Sequence, residues 1–142
     1  MLTYSELGEA EARIAIEACV VELGARGKAG VIAVGDRHGE LIALLRMDGA
    51  PLPSITVAIN KVFTTSRKGE PSGNIGRANQ ASGDDISYYG DPRFVGWDGG
   101  APVILAGQVL GSVAVSGLSG AEDLEIAEMG VSQILAHLAV KI

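Results

Sequence analysis

The chain reads as an α/β protein in which helices flank an antiparallel sheet of about five strands. Three observations predict this. Two pairs of short, β-branched runs are each joined by a tight turn, the mark of hairpins. Three longer stretches repeat apolar residues at helical spacing. Two of those stretches open on a capping box, Thr3-Tyr-Ser-Glu6 and Ser119-Gly-Ala-Glu122, in which a hydroxyl and a carboxylate satisfy free amides at a helix start.

In chain order, the first box opens a helix running from about Thr3 to Arg26, with Leu7, Ala10, Ile14, Ala18 and Val21 as its buried stripe. Glu9, Arg13 and Glu17 lie on its wet face, where (i, i+4) pairs add a few tenths of a kcal/mol each. Gly24 and Gly27 end it. Cys19 lies beside the stripe and reads as a buried structural thiol, because nothing near it in sequence would lower its pKa. Val31 to Gly35 and Glu40 to Arg46 form the first hairpin around Asp36-Arg-His-Gly39. Ile32, Val34, Leu41, Ala43 and Leu45 share one face; Val31, Ala33, Ile42, Leu44 and Arg46 share the other. Both faces are apolar, so cover is expected on both sides.

Pro53-Ser54 starts a second helix that buries Ile55, Ala58, Ile59, Val62 and Phe63. Lys61 sits on the flank of that face, as a solvated lysine, a salt-bridge partner or a cation facing a ligand. Lys68 to Asp98 reads as a long loop rich in Gly, Ser, Asn and Asp, with room for a short helix over Asn74 to Gln80. Four of the six aromatic residues, Tyr88, Tyr89, Phe94 and Trp97, crowd its end. In a chain otherwise short of aromatics, that clustering favours a ligand lid or a subunit contact.

The second hairpin, Val103 to Ala106 and Val109 to Val115, turns on Gly107-Gln108 as a type II′ pair. That turn sets Ala106 opposite Val109 and Ile104 opposite Gly111. Ile104, Ala106, Val109, Gly111, Val113 and Val115 then lie under a helix, and Val103, Leu105, Leu110, Ser112, Ala114 and Ser116 face the other way. The last helix follows from Ser119, with Leu124, Ala127, Val131, Ile134, Leu135 and Leu138 as its stripe.

Composition narrows the function. A chain of 142 residues is one domain (1–142), and its 47% hydrophobic content is mostly aliphatic. A net charge of −6 without a basic stripe argues against nucleic acid and anionic membranes as partners. No apolar run approaches the ~20 residues of a membrane span. The N-terminus lacks the cationic and apolar stretches of a signal peptide, and one cysteine excludes an internal disulfide framework, so a cytoplasmic protein is expected. His38, on a turn, and His137, beside a helix stripe, are too far apart in pattern to make a zinc site, so no metal is expected.

Gly99-Gly100-Ala-Pro102-Val-Ile, Gly107, Gly111, Val115-Ser116-Gly117, Asp123, Ala127 and Gly130 form a strung-out pattern that resembles the C-terminal signature of the GlcG/HbpS-like proteins. These are small domains commonly described as heme-binding, some fused behind corrinoid adenosyltransferases. Arg46-Met-Asp-Gly-Ala50, after an Asp-x-x-Gly turn, extends the resemblance through the N-terminal half. Lys61 falls where the family has Ala-x-x-Lys-Ala, although Val62 follows here. Ala114 departs from a usual glycine. The resemblance implies a profilin-like layered fold, a homo-oligomer and a small-molecule ligand, most often heme or a related tetrapyrrole. It carries over no axial ligand.

The residues themselves point to one convergent site. Free amides from Gly117 to Ala121 at the last helix start offer an anion pocket. Ser116, Asp98, Arg46 and Lys61 approach the same sheet edge, and Tyr88, Tyr89 or Trp97 would close over it. The carboxylates of Glu122, Asp123 and Glu125 oppose an anion there. Removing Lys61 should weaken ligand binding by about 1–3 kcal/mol while leaving the fold intact. The alternative is a cofactor-independent enzyme, an isomerase, hydratase or lyase acting on a small organic acid or aromatic catabolite, with Lys61 or Asp98 as acid–base residue. A purely structural accessory subunit is the third reading.

Overall fold

The computed structural model describes residues 1–141. Helix α1 (Glu9–Ala25) leads into strands β1 (Val31–Gly35) and β2 (Leu41–Arg46). Helices α2 (Ser54–Lys68) and α3 (Gly73–Ser82) and a 3₁₀ turn (Ile86–Tyr89) follow. Strands β3 (Gly100–Leu105) and β4 (Gln108–Ser116) precede helix α4 (Gly120–Lys141). The strands form one antiparallel sheet in the order β2-β1-β4-β3. Four strands stand where about five were expected, because the segment between α2 and β3 folds as helix and 3₁₀ turn.

Three layers result, in agreement with the layered arrangement that the resemblance implied. On one face, Ile32, Val34, Ala101, Val103, Val113 and Val115 are buried with Ala12, Cys19 and Leu23 of α1 and Ile126 and Ile134 of α4. On the other, Val31, Ala33 and Ala114 pack on Ala58 and Val62 of α2. The first hairpin has the expected faces from Val34 downward: Ile32 pairs with Leu45 and Val31 with Arg46.

Three expectations need correction. The first box is unused. The Leu7 amide donates 2.9 Å to the Leu110 carbonyl, which holds residues before Gly8 off the helix, so α1 starts at Glu9. The α1 stripe is rotated as well. Ala12, Ala15, Cys19 and Leu23 are buried, whereas Val21 is 61% exposed. Small residues carry this contact because α1 and α4 run so close that a Cβ on Gly130 would lie 3.0 Å from the Cys19 sulfur. An apolarity count favours large side chains and misses such a seam.

The second hairpin turns on Ala106-Gly107, both at positive φ (51° and 76°), which makes a type I′ turn with Leu105 opposite Gln108. A bulge then sets Val103 opposite Gly111 and Ile104 opposite Val109. Val103 therefore enters the core and Ile104 faces solvent, the reverse of the expected faces on β3, and Leu110 turns inward. Past the bulge β4 keeps its expected alternation.

Candidate functional site

A cleft of ≈ 440 Å³ opens where β4 runs into α4. Its walls come from the first half of α2 (Ser54, Val57, Lys61), the segment entering β3 (Trp97, Asp98) and the turn from Ser116 to Gly120. One serine organises the β3 side. The Ser72 hydroxyl donates to the Trp97 carbonyl (2.6 Å) and accepts the Gly100 amide (3.0 Å), and the Ser72 amide donates to the Gly100 carbonyl (3.2 Å). Between them Gly99 takes φ 130°, and a Cβ there would lie 2.5 Å from Lys61 Nζ and 2.9 Å from Asp123 Cβ. Only glycine lets the chain pass so close to both groups.

Lys61 is 2% exposed and Asp123 3%. Lys61 Nζ donates to Asp123 Oδ2 at 3.0 Å and to the Val115 carbonyl at 2.9 Å. Asp123 Oδ1 accepts the Leu118 amide at 3.0 Å. Burial pushes the Lys61 ammonium below its ordinary range and the Asp123 carboxyl above its own, while their mutual attraction opposes both shifts. The ammonium has three donors and makes two hydrogen bonds among the described residues. Lys61 is thus a buried salt-bridge partner, and deleting it strands Asp123 in the interior. The fold is not indifferent to that loss, as the sequence reading had it.

The α4 start is better prepared for an anion than its carboxylates implied. The Ser119 hydroxyl accepts the Glu122 amide (3.2 Å), but the Glu122 carboxylate does not close the box. It turns to Lys28 (2.6 Å) and Arg26 (3.1 Å), and Arg26 also holds Glu125 (2.8 Å). With Asp123 on Lys61, all three acids are paired. The amides of Ser119, Gly120 and Ala121 have no acceptor among the described residues.

Of the residues singled out in the sequence, Lys61, Trp97, Asp98, Ser116 and Gly117 line this one cleft. Trp97 is 67% exposed on its rim. Asp98 is engaged by Arg77 through both oxygens, at 2.9 and 3.1 Å. Arg46 pairs with Val31, whose other neighbour is Ser116; two strands away, it is not part of the wall. Tyr88 and Tyr89 line a separate hollow of ≈ 320 Å³ beside α3. Tyr89 stacks on Phe94 at 4.7 Å, which holds it away from the Lys61 cleft. His38 lies in a third cleft, and the buried Nε2 of His137 on α4 has no partner. No group of three or more metal-binding side chains exists among the described residues. No helix among them is long and apolar enough to cross a membrane.

Asp123 and Arg77 were missed as working residues. A lysine inside the Ala58–Phe63 face signals a buried carboxylate partner, and Asp123, one residue before an apolar stripe, was the acid placed to meet it. Nothing local marks Arg77 as the partner of Asp98.

The family model described as "Haem degrading protein HbpS-like" matches residues 7–132. An uncharacterized 15.0 kDa protein from the dhaT-dhaS intergenic region of Citrobacter freundii is 35% identical over 100 residues, 69% of this chain and 70% of that one. Among solved structures, Klebsiella pneumoniae protein ORFY superposes with TM-score 0.89 at 25% identity, over 96% of this chain and 95% of its own. A double mutant of Streptomyces reticuli HbpS does so with TM-score 0.84 at 26% identity, over 93% and 89%.

Proposed function

The chain belongs to the HbpS-like family, and from that premise we propose that it is a small-molecule-binding protein whose ligand brings an acid group into the cleft walled by Lys61 and Trp97. The observation that carries this reading is the spare Lys61 donor beside three unpaired amides, in a wall where every carboxylate already has a cation. The volume lies within the roughly 300–1,000 Å³ of ordinary ligand pockets. The open Trp97 ring offers a flat face for stacking.

Heme or a related tetrapyrrole is the ligand class to which the family description points. The residues present fit its carboxylates and its plane. They do not fit its iron, since the wall holds no imidazole, thiolate, thioether or phenol. Recognition through acid groups and ring face predicts that metal-free protoporphyrin binds within a few-fold of hemin. His38→Ala and His137→Ala then leave the absorbance titration unchanged, and Trp97→Leu weakens it. Failure of both pigments to saturate, or loss of hemin binding in either histidine variant, would sink the proposal. No observation favours the enzyme alternative: Lys61 is tied to Asp123 and Asp98 to Arg77.

We further propose a homo-oligomer. Ile14, Ala18, Val21 and Met129 form an apolar strip between α1 and α4, rimmed by Arg13, Glu17 and Glu22, a mixture of charges that a second copy can complement. A cytoplasmic setting fits the free Cys19 thiol.

A further inference from the structure

The cleft that contains His38, ≈ 620 Å³, lies at the other end of the sheet, where α2 stops and β4 begins. Arg37, Arg67 and Lys68 line it together with His38, Ser66 and Tyr4. The protein carries net charge −6, so three cations in one hollow stand against the general balance. Arg37, Arg46 and Lys68 have no carboxylate partner among the described residues, and two of them meet here. Arg67 has only a long contact to Glu40, at 3.7 Å.

These cations are held ready. Arg67 and Lys68 occupy the last turn of α2, where the helix dipole favours positive charge. Arg67 Nε donates 2.9 Å to the His38 carbonyl, fixing the β1–β2 turn against α2. The Arg37 guanidinium lies 3.5 Å from the centre of the Tyr4 ring, with Nη1 3.4 Å from His38 Nε2. Such flat, preset guanidinium forks suit oxyanions with several oxygens. One carboxylate would leave most of this charge unanswered, and a phosphate dianion matches it.

We infer that this cleft is an anion site for a phosphate group, free or as a phosphomonoester, independent of the Lys61 cleft. The test is amide chemical-shift titration of the whole protein with inorganic phosphate and with phenyl phosphate, at ionic strength held constant with chloride. Saturable shifts at His38, Lys68 and Gly69 are expected, weakened about tenfold or more by Arg37→Gln and by Lys68→Gln. Trp97→Leu leaves them unchanged. Tighter binding of phenyl phosphate identifies the ester, stacked on the Tyr4 side; equal binding identifies free phosphate. Shifts that do not saturate, that acetate reproduces, or that survive both substitutions overturn the inference. Arg37 is half-buried and Lys68 exposed on the surface, so the fold survives either change, and failure here leaves the tetrapyrrole reading untouched.

Discussion

Asp123→Asn isolates the energetic role of the buried pair. Asparagine keeps an oxygen for the Leu118 amide, and the Ser119 cap is untouched, but it removes the charge facing Lys61. With both side chains almost wholly out of water, the ammonium is left buried with a single carbonyl acceptor, Val115. Stranding a buried charge costs about 3–5 kcal/mol, a large share of the roughly 5–15 kcal/mol that holds a domain together. At about 2–4 °C per kcal/mol for a chain near this size, the midpoint should fall by roughly 6–20 °C. Urea unfolding of the parent, Asp123→Asn, Lys61→Met and the double variant closes a cycle. The double variant has no buried charge and should recover at least half of the loss, the remaining deficit coming from the Val115 carbonyl. If Asp123→Asn unfolds within about 0.5 kcal/mol of the parent, or the double variant is as unstable as the two singles added, the pair does not carry the stability assigned to it.

Gly111→Val should cost on the order of 3 kcal/mol or more by thermal melting, because φ there is 154° and a Cβ would meet the Gly35 carbonyl and lie 2.8 Å from Leu7. Cys19 should resist thiol reagents at pH 8 until the protein unfolds, since burial pushes its pKa from 9.0 up to about 12. The folded pKa is the higher one, so the stability that Cys19 contributes is complete below pH 9 and is lost as pH rises toward 12; a Cys19→Ala comparison across that range reads it. Light scattering should return a mass above 14.6 kDa, and Val21→Glu should lower it; a parent that is monomeric at micromolar concentration removes the oligomer.

Much of this is legible in the sequence. β1 and the start of α2 fall where β-branched runs and Pro53-Ser54 placed them, and five of the eight residues grouped from the sequence, Lys61, Trp97, Asp98, Ser116 and Gly117, are among those lining the Lys61 cleft. Their meeting was legible because Ser116 and Gly117 lie at the end of β4 and Trp97 and Asp98 just before β3, while Lys61 flanks the face that α2 turns to the sheet. What was not legible depended on distant chain. The Leu7 amide donates to the Leu110 carbonyl instead of extending a helix from the Thr3–Glu6 box, and a one-residue bulge inverted β3. Tyr88 and Tyr89 are close in sequence to Trp97, but the 3₁₀ turn carries them to another hollow. Clustering of aromatics along the chain said nothing of where each ring would point.

The threading of Gly99 past Lys61 and Asp123 also bears on how the protein comes apart. The ion pair joins residues 62 positions apart, and it loses its water only once a third segment, the entry to β3, lies across it. A contact that needs three remote pieces of chain in place carries a high loop-closure cost, which predicts a low φ-value for Asp123→Asn in folding kinetics. Its stabilisation is therefore spent on slowing escape from the native state rather than on hastening arrival there. The cleft walled by Lys61 and Trp97 is built around this lock, so Asp123→Asn should raise the unfolding rate while leaving the folding rate nearly unchanged.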